Sequence, residues 1–184
     1  KSFTLCCLAA YSLAVLNSPV MLACQTETAV RQFVRQKLHG VLKSCEALKN
    51  QFPTDPHLLN LKEILFSNCT LICVSASDNQ LRGHSVRICL GDENSGWQQG
   101  SMDKARARTL RWWNSRNVFV STPMLANDDM HRSYLAGSQE QWSLACPKCK
   151  EPMKMDFSTF VKWNHDEIKD EDGNYLWNKL KVWG

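Results

Sequence analysis

Val86-Arg87-Ile88-Cys89-Leu90-Gly91-Asp92-Glu93 is an apolar run that ends in two adjacent carboxylates. Residues 86–90 have the length and composition of a strand covered on both faces. Three further runs share this character: Val20-Met21-Leu22-Ala23-Cys24, Leu71-Ile72-Cys73-Val74-Ser75 and Val118-Phe119-Val120. Helical patterns lie between them. Residues 3–16 have the length of a buried helix, ended by Asn17-Ser18-Pro19. After the polar caps Gln25-Thr26-Glu27-Thr28, apolar residues recur at helical spacing: Val30, Phe33, Val34, Leu38, Val41, Leu42 and Cys45. Pro53 and Pro56 break that segment, and residues 58–65 are too few to type. Residues 101–113 carry Met102, Ala105, Thr109, Leu110 and Trp113 along one side, which predicts another helix. Asn127 is placed to cap a last short helix that reaches Leu135 and ends at Gly137. Apolar strands alternating with helices predict an α/β fold, a mostly parallel sheet with helices on both faces. In such sheets the chemistry gathers at the carboxyl ends of the strands, here Gln25-Thr26, Asp92-Glu93 and Ser121-Thr122.

The chain has 184 residues, enough for one ordinary domain and a small appendage, with the division expected at 1–125 and 126–184. At 43% hydrophobic and 22% charged residues, it is neither disordered nor membrane-like. The net charge of +4 does not announce a nucleic-acid partner; a local basic face would be needed. The best candidate is Lys104, Arg106, Arg108, Arg111 and Arg116, a set that serves equally well as a solvated helix face. Nine cysteines, most of them single within apolar runs, read as buried thiols of a reduced, cytosolic protein. Lys1, the apolar stretch at 3–16 and Met21-Leu22-Ala23-Cys24 also imitate an export signal. A buried helix, a turn and a buried strand account for the same residues, and Asn17-Ser18-Pro19 interrupts the run short of a membrane span.

Asp92-Glu93 after an apolar strand fits nucleotide hydrolysis. One carboxylate helps hold the Mg²⁺ that bridges the phosphates, and the next polarises the attacking water. The pair must be adjacent because metal and water lie side by side at the γ-phosphate. Most such pairs are simply polar strand ends, and Gly91 interrupts the apolar run. Lys1-Ser2, just before an apolar helix, matches the last two positions of a phosphate-binding loop. There the lysine reaches the β- and γ-phosphates and the hydroxyl binds Mg²⁺. Ser121-Thr122 stands 29 residues after Asp92, where nucleic-acid ATPases place a hydroxyl that senses the γ-phosphate. Capping of the strand, with Pro123 turning the chain, is the simpler role for these two residues. Cys146-Pro147-Lys148-Cys149 is half of a zinc ribbon by spacing and supplies two of four ligands. His131 and His165 are the other ligands within reach, and free surface thiols are the alternative. Residues 163–184 mix Trp163, Trp177 and Trp183 with the acidic Asp166-Glu167 and Asp170-Glu171-Asp172, and read as a loosely held end.

Several stretches together resemble the lambda-like phage terminase large subunit. They are the small-residue strand of residues 66–77, the element Gln80-Leu81-Arg82-Gly83, the Asp92-Glu93 strand and residues 111–123. Residues 130–134, Trp142 to Cys149, Ser18-Pro19-Val20-Met21-Leu22 and the helix at 29–42 belong to the same ordered set. The resemblance covers most of residues 1–163. It implies a P-loop NTPase-type sheet whose first strand and phosphate loop precede Lys1, followed by a small cysteine-knuckle appendage. It implies ATP and Mg²⁺ as ligands, with Zn²⁺ at Cys146 and Cys149 as a further candidate. Residue by residue, Lys1 and Ser2 match the phosphate-loop pair, Asp92 the magnesium-side acid and Glu93 the catalytic glutamate. Ser121 and Thr122 match the coupling motif. Gln25 stands near the nucleotide and Arg82 in the Leu-Arg element, neither with an assigned role. The implied work is translocation of double-stranded DNA into a procapsid. It would be done by a homo-oligomeric ring with a portal protein and a small terminase subunit, in the host cytoplasm and without a membrane. No nuclease activity is expected of these residues. Two departures stand out: Ser138-Gln139 replaces the expected Ser-Asp, and Lys150 replaces the glycine after the second cysteine. A helicase-like ATPase and a non-catalytic nucleic-acid-binding fragment are the rival readings.

Overall fold

The computed structural model describes residues 1–51, 62–122, 124–154, 162–163 and 182–183. They form two compact units, Lys1–Gly137 and Ser138–Gly184.

In the first unit, helix α1 (Ser2–Ala14) leads through Asn17, at φ 44°, into strand β1 (Val20–Cys24). All five residues of β1 are buried, as the unbroken apolar run predicts. Thr26 caps α2 (Glu27–Phe33), its side chain accepting from the Ala29 amide. The expected single helix then changes character. A π-helical turn at Val34–Leu38 separates α2 from α3 (His39–Ser44), and the apolar spacing carries no mark of it. Strand β2 (Glu63–Leu65) pairs antiparallel with β3 (Thr70–Ser75). Pro53, Pro56 and residues 58–61 lie outside the described residues. The polar turn after β3 is a short helix, α4 (Asp78–Leu81).

Strand β4 (Ile88–Asp92) begins two residues later than the apolar run and carries Asp92 within the ladder. Val86 is buried but drops out of the strand because its amide bonds to the Arg108 carbonyl. Helix α5 (Ser101–Arg106) is shorter than the predicted 101–113 and closes in a 3₁₀ turn at Ala107–Thr109. The Thr109 hydroxyl donates back to the Arg106 carbonyl there, and Leu110 and Trp113 are left 82% and 95% exposed. The basic set is therefore not one helix face. Lys104 pairs with Asp78, Arg106 lies over the Phe119 ring, and Arg108 donates to the Lys104 carbonyl. Strand β5 (Arg116–Val120) completes the sheet. Asp128, rather than Asn127, caps α6 (Asp129–Ala136) by accepting from the His131 amide. Asn127 is at φ 67°, the left-handed region that asparagine tolerates better than most residues. The unit boundary falls after Gly137, not at 125, because α6 is tied back to the sheet domain. Asp129 accepts from the Gly100 amide, and Arg106 donates to Ser133.

The sheet order is β2-β3-β1-β4-β5, parallel except for the edge strand β2. Alternate residues of the central strands serve two cores. Val20, Leu22, Leu71, Cys73, Ile88 and Leu90 pack with Leu5 and Leu13 of α1, Leu38 of the π-helical turn and Leu42 of α3. Met21, Ala23, Val74 and Cys89 pack with Leu81, Trp97 and Ala105 on the opposite face. Each fully buried aliphatic side chain contributes about 1.5–3 kcal/mol, which fixes the register of the three central strands and aligns their carboxyl ends.

In the second unit, β6 (Ser143–Ala145) and β7 (Pro152–Lys154) form a hairpin, and β8 (Lys162–Trp163) pairs antiparallel with β9 (Val182–Trp183). His165, Trp177 and the acidic stretch 166–172 lie outside the described residues. Among the described residues, no helix is long and apolar enough to cross a membrane.

Candidate functional site

Three loop tips meet at the carboxyl edge of the sheet. The Lys1 ammonium donates to the Ser121 carbonyl at 2.9 Å and to the Thr122 hydroxyl at 3.0 Å. One residue on, the Ser2 hydroxyl donates to the Asp92 carboxylate, 3.1 Å from Oδ1 and 3.3 Å from Oδ2. Residues 1–2, 92 and 121–122, distant in sequence, are thus joined through two links, Lys1 to residues 121–122 and Ser2 to Asp92. Lys1 and Ser2 stand at the amino end of the thirteen-residue α1, where unpaired amides and the helix dipole favour an anion.

The two carboxylates differ in environment. Asp92 is 7% exposed, and burial pushes its pKa up. The Ser2 hydrogen bond and the Lys37 charge oppose that rise, while the Glu93 charge adds to it. Its backbone carbonyl accepts from the Trp97 indole at 3.0 Å, and Trp97 meets Phe119 edge-to-face at 6.1 Å. Glu93 is exposed, one residue past the ladder, at φ 51°. One acid is thus buried beside a hydroxyl and the next is left in solvent. Two adjacent ligands of an octahedral magnesium stand about 3.0 Å apart when each bond is about 2.1 Å. The 3.1 Å between Ser2 Oγ and Asp92 Oδ1 fits that requirement.

Gly91, which as a sequence feature weakens the strand, is required by the packing. A Cβ there would fall 2.5 Å from Phe119 Cδ1 and 2.7 Å from Asn94 Nδ2. Gly91→Ala is expected to destabilise the protein by about 1–3 kcal/mol through overpacking. At roughly 2–4 °C per kcal/mol for a domain of this size, thermal unfolding should show a loss of several degrees. An unchanged Tm would contradict this packing.

Ser121 and Thr122 face different neighbours. The Ser121 hydroxyl accepts from the Ser95 amide at 2.9 Å and donates to the Thr122 carbonyl, whereas the Thr122 hydroxyl accepts from Lys1. Gln25, at the end of β1, lies against Gly96: a Cβ on that glycine would be 2.9 Å from Gln25 Cδ. Arg82 follows α4, outside the hydrogen-bonded group formed by Lys1, Ser2, Asp92, Ser121 and Thr122. Pro123 lies outside the described residues.

Cys146 and Cys149 occupy the tip of the β6–β7 hairpin. Cys146 and Glu151 are bonded through the backbone, and Lys150 returns its amide to the Cys146 carbonyl. Lys150 has φ 65°, the conformation for which a glycine is usual at this position. The amides of Cys149 and Lys148 and the Cys149 thiol hold the Cys146 thiol below its ordinary range. Among the described residues, no group of three His, Cys, Asp or Glu side chains could hold a metal ion. His131 Nδ1 accepts from the Asn127 amide. The knuckle thus presents two thiols and, among the described residues, no third ligand beside them.

No curated protein matches the chain in sequence. A large terminase from a thermophilic bacteriophage aligns with a TM-score of 0.55 at 17% identity, over 73% of this chain and 33% of that one. For the ATPase domain of the Thermus phage P74-26 large terminase, the TM-score is 0.60 at 16% identity, over 84% and 67%. The HK97 bacteriophage large terminase gives 0.57 at 14% identity, over 78% and 33%. At these identities the likeness is one of fold. The chain spans about a third of the length of the first and third of these proteins. The family model of the phage terminase large subunit gpA ATPase domain matches residues 1–178. By that match over nearly its whole length, the chain belongs to the ATPase-domain family of gpA-type phage terminase large subunits.

Proposed function

We propose that the chain is the ATP-hydrolysing motor part of a viral DNA-packaging terminase large subunit, and that hydrolysis drives double-stranded DNA into a procapsid. The observation that carries this reading is the junction of Lys1 with Thr122 and of Ser2 with Asp92. A triphosphate at the amino end of α1 would be met by the Lys1 ammonium. Ser2 and Asp92 would hold magnesium, which when bound supplies positive charge to the β- and γ-phosphates. Glu93, exposed beside them, orients the attacking water and draws on its proton. Lys1 then links the phosphates to the end of β5. Loss of the γ-phosphate changes what holds Thr122, and with it the chain that leads into α6.

The free edge of β5 supports the same reading. A groove of about 390 Å³ runs between β5 and α1, lined by Leu8, Tyr11, Leu16, Arg116 and Val118 among others. A further strand parallel to β5 in that groove would end beside Lys1, as a strand feeding a phosphate loop must. The partners implied are double-stranded DNA, a portal protein, a small terminase subunit and further copies of the chain in a ring. Nine free thiols suit work in the reducing host cytoplasm.

The test is ATP turnover by the full-length protein with magnesium, with and without double-stranded DNA. Turnover stimulated by DNA, and loss of both turnover and nucleotide binding in Lys1→Ala, are expected. A full-length protein that does not hydrolyse ATP, or a Lys1→Ala variant that hydrolyses it normally, would overturn the proposal.

A further inference from the structure

We propose that Lys37 is a second phosphate-binding cation: it meets the terminal phosphate of the nucleotide from the β1 side, while Lys1 meets the phosphates from the β5 side. The inference rests on the motor reading and adds a side chain from an element outside the Lys1, Ser2, Asp92 and Thr122 group.

Lys37 is carried by the π-helical turn Val34–Leu38. Such turns give up regular backbone pairing and are kept in helices mostly at functional sites. Val34 and Leu38 are fully buried and fix the turn, while Lys37 between them is exposed. Its ammonium lies 5.3 Å from the centre of the Phe33 ring, one helical turn back. That contact restrains a long side chain, so less ordering is left for a ligand to impose. Among the described residues, the Lys37 ammonium has no carboxylate at ion-pair distance, whereas Lys49, Lys62 and Lys104 each have one.

An open cavity of about 600 Å³ adjoins this lysine, lined by Ser2 and Phe3 at the start of α1 and by Lys37 and Gly40 facing them. The Ser2 hydroxyl donates to Asp92, so one wall of the cavity is the partner of the acid assigned to magnesium. Gly40 is in α3, where a glycine weakens the helix relative to alanine. A Cβ there would meet nothing within 4 Å, so packing does not require the glycine, and its lack of a side chain leaves the cavity open. The Lys37 charge reaches the carboxyl edge of the sheet. Burial raises the pKa of Asp92, of Cys6 in α1 and of Cys24 at the end of β1, and Lys37 opposes the rise in all three. Strand β4, which ends in Asp92, has β1 on one side and β5 on the other. Lys1 bonds to the residues that follow β5. Asp92 therefore lies between two lysines, Lys1 toward β5 and Lys37 toward β1. A triphosphate beside Asp92 and Glu93 brings more negative charge than magnesium and Lys1 offset. The γ-phosphate carries the largest share of that charge and is the group set against the two acids, so it is the one that Lys37 holds.

The experiment is equilibrium binding of the non-hydrolysable ATP analogue AMP-PNP, of ADP and of AMP, each with magnesium. It compares the full-length protein with its Lys37→Met and Lys37→Arg variants. Methionine keeps an apolar stem against Phe33 and removes the charge. Lys37→Met is expected to raise the Kd for AMP-PNP about 10- to 100-fold, the range for a lost hydrogen bond between charged groups. The Kd for ADP should rise by no more than about threefold, that for AMP should not change, and Tm should stay at the wild-type value. Lys37→Arg should bind AMP-PNP within about fivefold of wild type, and the deficit of Lys37→Met should shrink as salt is raised. A wild-type Kd for AMP-PNP in Lys37→Met, an equal loss for ADP or AMP, or no recovery in Lys37→Arg would each overturn the role of Lys37 and leave the motor reading intact. A full-length protein that binds no AMP-PNP would overturn both.

Discussion

Glu93→Gln in the full-length protein is expected to cut ATP turnover by about 10²–10⁴-fold, the range for loss of a general base, while ATP affinity stays within a few-fold. The expectation follows from where the strand stops. Asp92 is the last paired residue of β4, opposite Val120, and its carboxylate turns to the Ser2 hydroxyl. Glu93 leaves the ladder with φ 51° and an exposed side chain. Glutamine keeps the length and shape of the side chain but cannot take a proton. The contacts proposed to hold nucleotide, through Lys1 and Ser2, belong to other residues, so binding should survive when chemistry does not. Tm should stay at the wild-type value, because an exposed side chain makes no packing contribution to lose. A nucleic-acid-binding fragment without catalysis would show no difference between the two proteins. Retained turnover in Glu93→Gln would remove the water-activating role from this residue.

Much of the site is legible in the sequence because its parts are strand ends, and buried parallel strands write themselves as short apolar runs. Val20–Cys24 matches its run residue for residue, and β3 and β5 begin only one and two residues earlier than theirs. The polar residues that follow have to lie along one edge. What is illegible is local or non-local for identifiable reasons. Leu110 and Trp113 continue the helical spacing of 101–113, yet the helix stops at Arg106 and the spacing beyond it does not correspond to burial. The π-helical turn at Val34–Leu38 leaves the apolar period nearly unchanged, so no pattern of residue types exposes it. Strand β2 has three residues and one buried side chain, too little to separate from a loop. Gly91 and Gly96 are decided by what approaches them across the sheet, Phe119 and Gln25, and no feature of the adjacent sequence records either approach. The pairing of Thr122 with Lys1, and of Ser121 with Ser95, likewise needs three dimensions, although the sequence marks Ser121-Thr122 as a pair.

Asp92→Asn is expected to abolish turnover, by about 10²–10³-fold or more if its carboxylate helps place positive charge at the phosphates, and at the same time to raise the Tm of the protein. The two effects have one cause. Asp92 is almost fully buried, and burial raises its pKa above the ordinary 3.8 despite the Ser2 hydroxyl and the Lys37 charge. A carboxyl whose folded pKa lies above its unfolded one binds protons more readily in the folded state. Its ionised form therefore costs stability at every pH above the folded pKa, and the cost disappears below about 3.8. Asparagine removes the charge and keeps an oxygen able to accept from Ser2, so the variant should be the more stable protein at pH 7. The difference in Tm between the two should then shrink as the pH is lowered through the folded pKa and below 3.8, where aspartic acid and asparagine are both neutral. A variant less stable than wild type at pH 7, or a difference that does not respond to pH, would mean that the Asp92 charge is satisfied by its surroundings. In that case the site would not be holding a carboxylate in reserve for a cation, and the pairing of Ser2 with Asp92 would be structural alone.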